Sequence, residues 1–534
     1  MPRVFESKVG FALLAGLYLL SFPYHPGLRS PNELCRLWQA RALVDFGTLS
    51  INGTLQKLGM VGDLSCTAVV RGPDGEKLEP CVGPLAPRGG VVARLYYPSK
   101  APLVSFLGAP VYWVLKGLFG SVSELRQMAV SRFFVTVLPA LGLLWLLRRF
   151  LVAYVSPSVA DSLVVVYGLG TMAFTYAEAF MSHQLTAVLL FATFYVAWKV
   201  ERGEWREPAY VLAGLLAGAV VAAEYTGALG VLCVAAYVAA SRWRRWRALG
   251  RAAGLVVVGA APLLVALLAY HQECFGSPWT SGYRFLNDAG YQAWHEGGFL
   301  GIKWPDASAL WLSLFSPLRG LFALSPFLLV APFGFGELRR ADRPLFVFLV
   351  VLVAANTYFT ASFSYASWGW TVGPRHLTPL VPFLMLPVAL VMERLQAEGG
   401  SVLKRSLLAG LCVSSVAATG LVAFIAYVPD DVSTSLWGLA IPLLSGEVWP
   451  VSWLAGVVPN PASGVLLELL LLAVVVWLSG RFLRQKALPL VAALVVVGHF
   501  GLLRLATANH SGDVGARAFL REKWVAPAGQ LLQF

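Results

Sequence analysis

Charge is scarce in this chain. Only 13% of its 534 residues are Asp, Glu, Lys or Arg, against about 25% in a typical soluble protein. No phosphate-binding glycine loop and no GxGxxG after a strand is present, which excludes a built-in nucleotide domain of either kind. Six cysteines are scattered and none forms a CxxC, so a zinc cluster is excluded by spacing. No internal repeat or low-complexity tract is visible, and paired inverted halves of the transporter kind are absent. What fills the chain instead is apolar: 57% hydrophobic residues and a mean hydropathy of +0.68. Apolar runs of about 20 residues recur, the length that crosses a bilayer.

The chain therefore reads as an all-α polytopic membrane protein. Its net charge of +13 follows from a positive-inside bias and from anionic lipid or substrate phosphate. No nucleic-acid motif accompanies that charge, so nucleic acid is not an expected partner. The strongest basic loop, Arg242-Trp243-Arg244-Arg245-Trp246-Arg247, is expected to be cytoplasmic, whereas residues 427–463 hold no Lys or Arg. Alternating such loops predicts about thirteen spans with a cytoplasmic N-terminus. They fall near 9–24, 128–147, 158–177, 184–198, 208–223, 226–241, 253–270, 319–336, 344–360, 377–393, 406–426, 464–480 and 487–505. The first is expected to be retained, since no small-residue cleavage site follows it. The apolar stretch 103–118, with Pro110 inside, fits this alternation as an outer-surface or re-entrant helix.

Residues 30–103 form the longest polar segment, and chemistry is expected there. Ser30-Pro31-Asn32-Glu33 opens a short helix, with Glu33 either a capping-box acid or a general base beside Arg36. Asp63 is a second acid, or else a turn aspartate. Lys100 stands where the chain re-enters apolar sequence, as a phosphate-neutralising cation or a snorkelling lysine. Cys66 and Cys81 bracket a loop with the turn signal Gly72-Pro73-Asp74-Gly75; they are a disulfide or two free thiols.

Further along, Glu178, His183 and Glu224 are ionisable groups within or beside apolar runs, where such groups usually serve function. Their spacing matches no metal-ligand motif, so no cofactor is expected, with a divalent metal left open. Arg375 and His376 close the turn-rich stretch Gly373-Pro374-Arg375-His376, with a guanidinium suited to phosphate. Tyr97 and Tyr283, from the two long aromatic outer loops, complete the expected substrate cavity. Asn52-Gly53-Thr54 and Asn509-His510-Ser511 match the glycosylation sequon, a triplet that chance produces often.

Taken together, these stretches resemble the integral-membrane glycosyltransferases of the GT-C superfamily. The resemblance is to the bacterial branch with the lipid A aminoarabinose transferase and the protein O-mannosyltransferase-like enzymes. It rests on an acid after the first span (Glu33), Lys100-Ala101-Pro102-Leu103, His183 at the next outer tip, a large outer loop over 271–319 and Gly373-Pro374-Arg375. The chain departs from that pattern in having Glu33 and His183 where relatives often have Asp, and Ala101-Pro102 where they often have paired prolines.

The resemblance implies a GT-C-like bundle whose long first outer loop carries juxtamembrane helices. It places a catalytic module over 1–336, with outer loops at 25–127 and 271–318, and a variable module over 337–534. It further implies a polyprenyl-phosphate sugar as donor and a lipid, glycan or protein hydroxyl as acceptor. Transfer would invert the sugar on the outer face of the plasma membrane, with Glu33 as base and Lys100 and Arg375 on the leaving phosphate. The rival readings are a transporter or flippase with an intramembrane polar path, and an assembly subunit.

Overall fold

The computed structural model describes residues 8–23, 30–73, 75–83, 85–87, 89–296, 301–363, 369–397, 401–446, 448–449, 452–459, 461–507 and 510–524. Asp74 of the expected turn and Asn509 of the second sequon lie outside them. The fold is a helical bundle with one small sheet. Five described helices are long and apolar enough to cross a bilayer: Glu124–Leu151, Trp246–Phe275, Arg343–Ser362, Val402–Ile425 and Ala462–Arg484. These make the chain a multi-pass membrane protein.

Other expected spans are shorter or broken. The stretch 158–177 divides at Gly170 into Pro157–Leu169 and Met172–Ala177. The stretch 319–336 is not one helix. It runs as Leu321–Leu324, a 3₁₀ stretch Pro326–Gly334 and Phe335–Ala341, because Pro326 and Pro332 remove backbone donors that a continuous α-helix needs. Close packing elsewhere relies on small residues. A Cβ on Gly214 would lie 2.1 Å from Val256 O, and one on Gly259 1.9 Å from Val211 O. Only glycine lets helix Tyr210–Ala223 approach Trp246–Phe275 this closely.

The polar segment 30–103 departs from the all-α expectation. After α1 (Lys8–Leu20), α2 (Pro31–Asp45) and α3 (Asn52–Leu58) come three strands, β1 (Leu64–Gly72), β2 (Gly75–Pro80) and β3 (Val91–Pro98). They form an antiparallel sheet in the order β2-β1-β3. Runs such as Thr67-Ala68-Val69-Val70 and Leu95-Tyr96-Tyr97 carry the β-branched and aromatic residues that suit a pleated, half-buried surface. Cys66 and Cys81 form a disulfide that ties β1 to the end of β2. The sheet docks on the bundle through Ser65 Oγ, which donates to Gly282 O at 2.7 Å, and Thr67 Oγ1, which donates to Cys274 O at 3.2 Å.

Asn52 of the first sequon is structural. Its amide donates to Arg94 O at 2.7 Å and accepts from Tyr96 N at 2.8 Å, fastening α3 to β3. The stretch 103–118 falls in the helix α4 (Leu103–Phe119), which buries Val104, Gly108 and Tyr112 and exposes Phe106, Trp113 and Leu118. It packs on α2, with Lys116 bonded to Asp45 at 2.6 Å.

Candidate functional site

A cavity of about 650 Å³ opens between the polar segment 30–103 and the later loops. Its charged lining comes from distant parts of the chain: Arg36 and Asp63, then Lys100, His183 and Glu224, then Arg375 and His376. It therefore straddles the boundary expected at residue 336. Tyr283 lines it as well.

The sheet places the first of these groups. Leu64 at the start of β1 pairs with Pro98 at the end of β3, and Ser99 N donates to Asp63 O at 2.9 Å. Asp63 and Lys100 thus emerge together from one end of the ribbon, 3.3 Å apart. Asp63 holds a left-handed backbone (φ 57°), a conformation that Asp and Asn tolerate better than most residues. Burial pushes its carboxyl up, but Lys100, Arg375 and Arg36 prevail and hold it below its usual value of 3.8. For Lys100, burial lowers the ammonium, yet Asp63 and Tyr283 leave it above its usual value. The Tyr283 ring lies 5.4 Å from the Lys100 nitrogen.

Arg36 comes from α2, whose residues Asn32 to Ala42 are all buried. Its guanidinium donates to Asn32 O at 2.7 Å, to Asn32 Oδ1, and to Ser182 Oγ at 3.3 Å. Ser182 in turn donates to Glu224 at 2.6 Å, and His183 Nδ1 lies 3.8 Å from that carboxylate. Among the buried nitrogens that no hydrogen bond satisfies are Arg36 Nε, His183 Nε2 and Arg375 Nε. Each belongs to a residue lining this cavity.

Arg375 is presented by a stiff loop. Arg319, buried, donates to Gly369 O at 2.6 Å and to Asp430 Oδ1 at 2.7 Å. Tyr176 donates to Val372 O at 3.0 Å. Gly373 is left-handed at φ 71° and has Met172 Sδ only 2.5 Å from where a Cβ would stand, so no other residue fits there.

Glu33 is not where the sequence places it. Ser30 caps α2 by its backbone conformation, without a side-chain bond. The Glu33 carboxylate instead holds Arg132 in a two-pronged pair at 2.8 and 2.7 Å and accepts from Phe180 N at 2.5 Å. It is buried, is absent from the cavity lining and does not pair with Arg36. Both oxygens of that carboxylate are occupied by these partners. Two further expectations fail. Tyr97 packs edge-on against Phe275 at 5.6 Å, within the cluster beneath the sheet, and does not line the cavity. Glu178 is buried outside the lining, with Oε1 unpartnered among the described residues.

Sequence reasoning passes over Asp288, His295 and Asp430, which line the cavity from single positions in long loops without a motif. His295 is lowered to about 4, by burial first and then by Lys100, against an opposing pull from Asp63. It is therefore a neutral imidazole near neutral pH. Among the described residues, no group of three or more His, Cys, Asp or Glu is placed to hold a metal ion.

No family profile matches the chain, and no curated protein does. Solved structures do. ArnT from Cupriavidus metallidurans without ligand is 15% identical, with a TM-score of 0.47, over 91% of this chain and 76% of that one. The same enzyme bound to undecaprenyl phosphate is 14% identical, with a TM-score of 0.47, over 92% and 77%. The Archaeoglobus fulgidus oligosaccharyltransferase is 10% identical, with a TM-score of 0.46, over 87% and 59%. Likeness at this level carries no argument about residues or reaction.

Proposed function

We propose that this protein is a GT-C-type glycosyltransferase that moves a sugar from a polyprenyl-phosphate donor to a hydroxyl acceptor. The observation that carries this reading is the convergence of Asp63 with Lys100, Arg36 and Arg375 on one cavity. A base beside three cations is what displacement of a sugar from a lipid phosphate requires. The acceptor hydroxyl gives its proton to the Asp63 carboxylate while its oxygen bonds the anomeric carbon. The bond from that carbon to the phosphate oxygen breaks, and its electron pair stays on the phosphate. Lys100 and Arg375, with Arg36 behind them, stabilise that growing charge. Attack opposite the leaving group inverts the anomeric centre.

Asp63 replaces Glu33 as the base because its carboxylate faces the cavity, whereas Glu33 is held by Arg132. We place the reaction on the outer face of the plasma membrane, with a glycolipid, glycan or protein as acceptor. The test is sugar transfer by purified protein in liposomes supplied with a panel of lipid-linked sugars. Transfer by the wild type that Asp63→Asn abolishes supports the reading; transfer retained by Asp63→Asn refutes Asp63 as base.

A further inference from the structure

The Asp63–Lys100 pair differs from the other ion pairs around the polar segment 30–103. Arg132 closes on Glu33 to 2.7 Å and Lys116 on Asp45 to 2.6 Å, the separations of tight charge-assisted bonds. Lys100 and Asp63 stand at 3.3 Å. Lys100 has no other carboxylate partner among the described residues, and both side chains border open cavity. Asp63 is also the carboxylate on which Lys100, Arg375 and Arg36 all act. The groups around the pair include Arg36 and Arg375, the Tyr283 ring, Cys35 and the imidazoles of His183, His295 and His376. Arg36 and Arg375 each keep a buried nitrogen without a partner among the described residues. Of the carboxylates lining the cavity, the loosely held Asp63 is the one that contacts Lys100, while Glu224 reaches Arg36 only through Ser182.

We propose that Asp63 is a stand-in anion: before a phosphate binds it holds Lys100, and an arriving phosphate takes that cation over and releases the carboxylate. This rests on the transferase reading for its purpose but not for its physics. Before the donor arrives, the carboxylate limits the repulsion among Lys100, Arg36 and Arg375. Once the phosphate neutralises them, Asp63 loses its holding partner and faces fewer positive charges. The same carboxylate is then a stronger base, at the moment an acceptor proton has to be removed. Donor binding thereby switches on the group that acts in the next step.

The exchange makes a prediction that a simple phosphate-binding site does not. Removing the competing carboxylate improves anion binding. Asp63→Asn keeps the size and the tolerance of a left-handed backbone, so the ribbon end is preserved. Equilibrium binding is measured with polyprenyl phosphate in detergent micelles, and with inorganic phosphate to separate the headgroup from the lipid tail. Asp63→Asn is expected to bind polyprenyl phosphate about tenfold tighter than wild type, since a unit charge a few ångströms away is removed. In a Lys100→Met background the same substitution is expected to give a much smaller gain. Unchanged or weaker binding by Asp63→Asn overturns the exchange, as does a full gain that persists without Lys100. If the gain appears but the wild type transfers no sugar, the exchange stands and the transferase reading falls.

Discussion

The two acids Glu33 and Asp63 of the polar segment 30–103 have opposite fates. Glu33 lies inside the packed helix α2, locked by Arg132 and the Phe180 amide. Asp63 sits at the open end of the sheet, beside a lysine that only approaches it. The first acid ties α2 to the bundle; the second faces the cavity. On the proposed reading, the tightly bonded carboxylate serves architecture and the loosely held one takes the proton.

The sharpest way to break the comparison is to neutralise each acid in turn. Asp63→Asn is expected to lower sugar transfer by roughly 10²–10⁴-fold, the usual contribution of a positioned general base, with only a small loss of thermal stability. Glu33→Ala strands the buried Arg132 charge and is expected to cost about 3–5 kcal/mol of stability, read from thermal unfolding in detergent. Replacing Glu33 and Arg132 together by apolar residues is expected to recover much of that loss. If Glu33→Ala melts like wild type yet loses transfer, the two roles have been assigned the wrong way round.

Smaller effects sharpen the picture. Replacing Cys66 and Cys81 by Ser opens a loop with a sequence separation of 15 and is expected to cost about 3 kcal/mol, again by thermal unfolding. The pH profile follows from sign. The Asp63 carboxyl is held below 3.8, so its base form persists through mildly acidic pH and is lost only as pH falls through that lowered value. Its contribution to stability is likewise present above its unfolded value and lost on the same descent. Lys100→Met is expected to move the acid limb of kcat/KM to higher pH. Arg71→Ala, at an exposed pair with Glu76, is expected to change stability by less than about 1 kcal/mol and serves as the control.

Much of the site is legible in the amino-acid sequence. Lys100, His183 and Glu224 stand out as ionisable groups beside apolar runs, Arg36 by its helix-start segment, Arg375 and His376 by their turn-rich stretch and Tyr283 by its aromatic loop, and the cavity gathers them. The pairing of Glu33 with Arg132 is not legible because the two lie 99 residues apart along the chain. A helix-start pattern reports local preferences and is silent about such pairings. Tyr97 is misplaced because strand alternation decides which way a ring points, and an all-helical reading of the segment misses the strand. The apolar 319–336 stretch has the hydropathy of a span, but Pro326 and Pro332 shape its backbone. Asp288, His295 and Asp430 carry no spacing signal, since the loops that bring them in are arranged by contacts with other elements.

The little sheet has a consequence for how this part of the protein tolerates change. Its active end is fixed by the pairing of Leu64 with Pro98, while its opposite end is the hairpin tip where Gly72 meets Gly75. A residue inserted within either strand would flip the outgoing side chains and separate acid from ammonium. Extra residues at the tip would leave the paired strands in step. That tip is the place to attach a dye or an affinity tag without disturbing what happens at the other end.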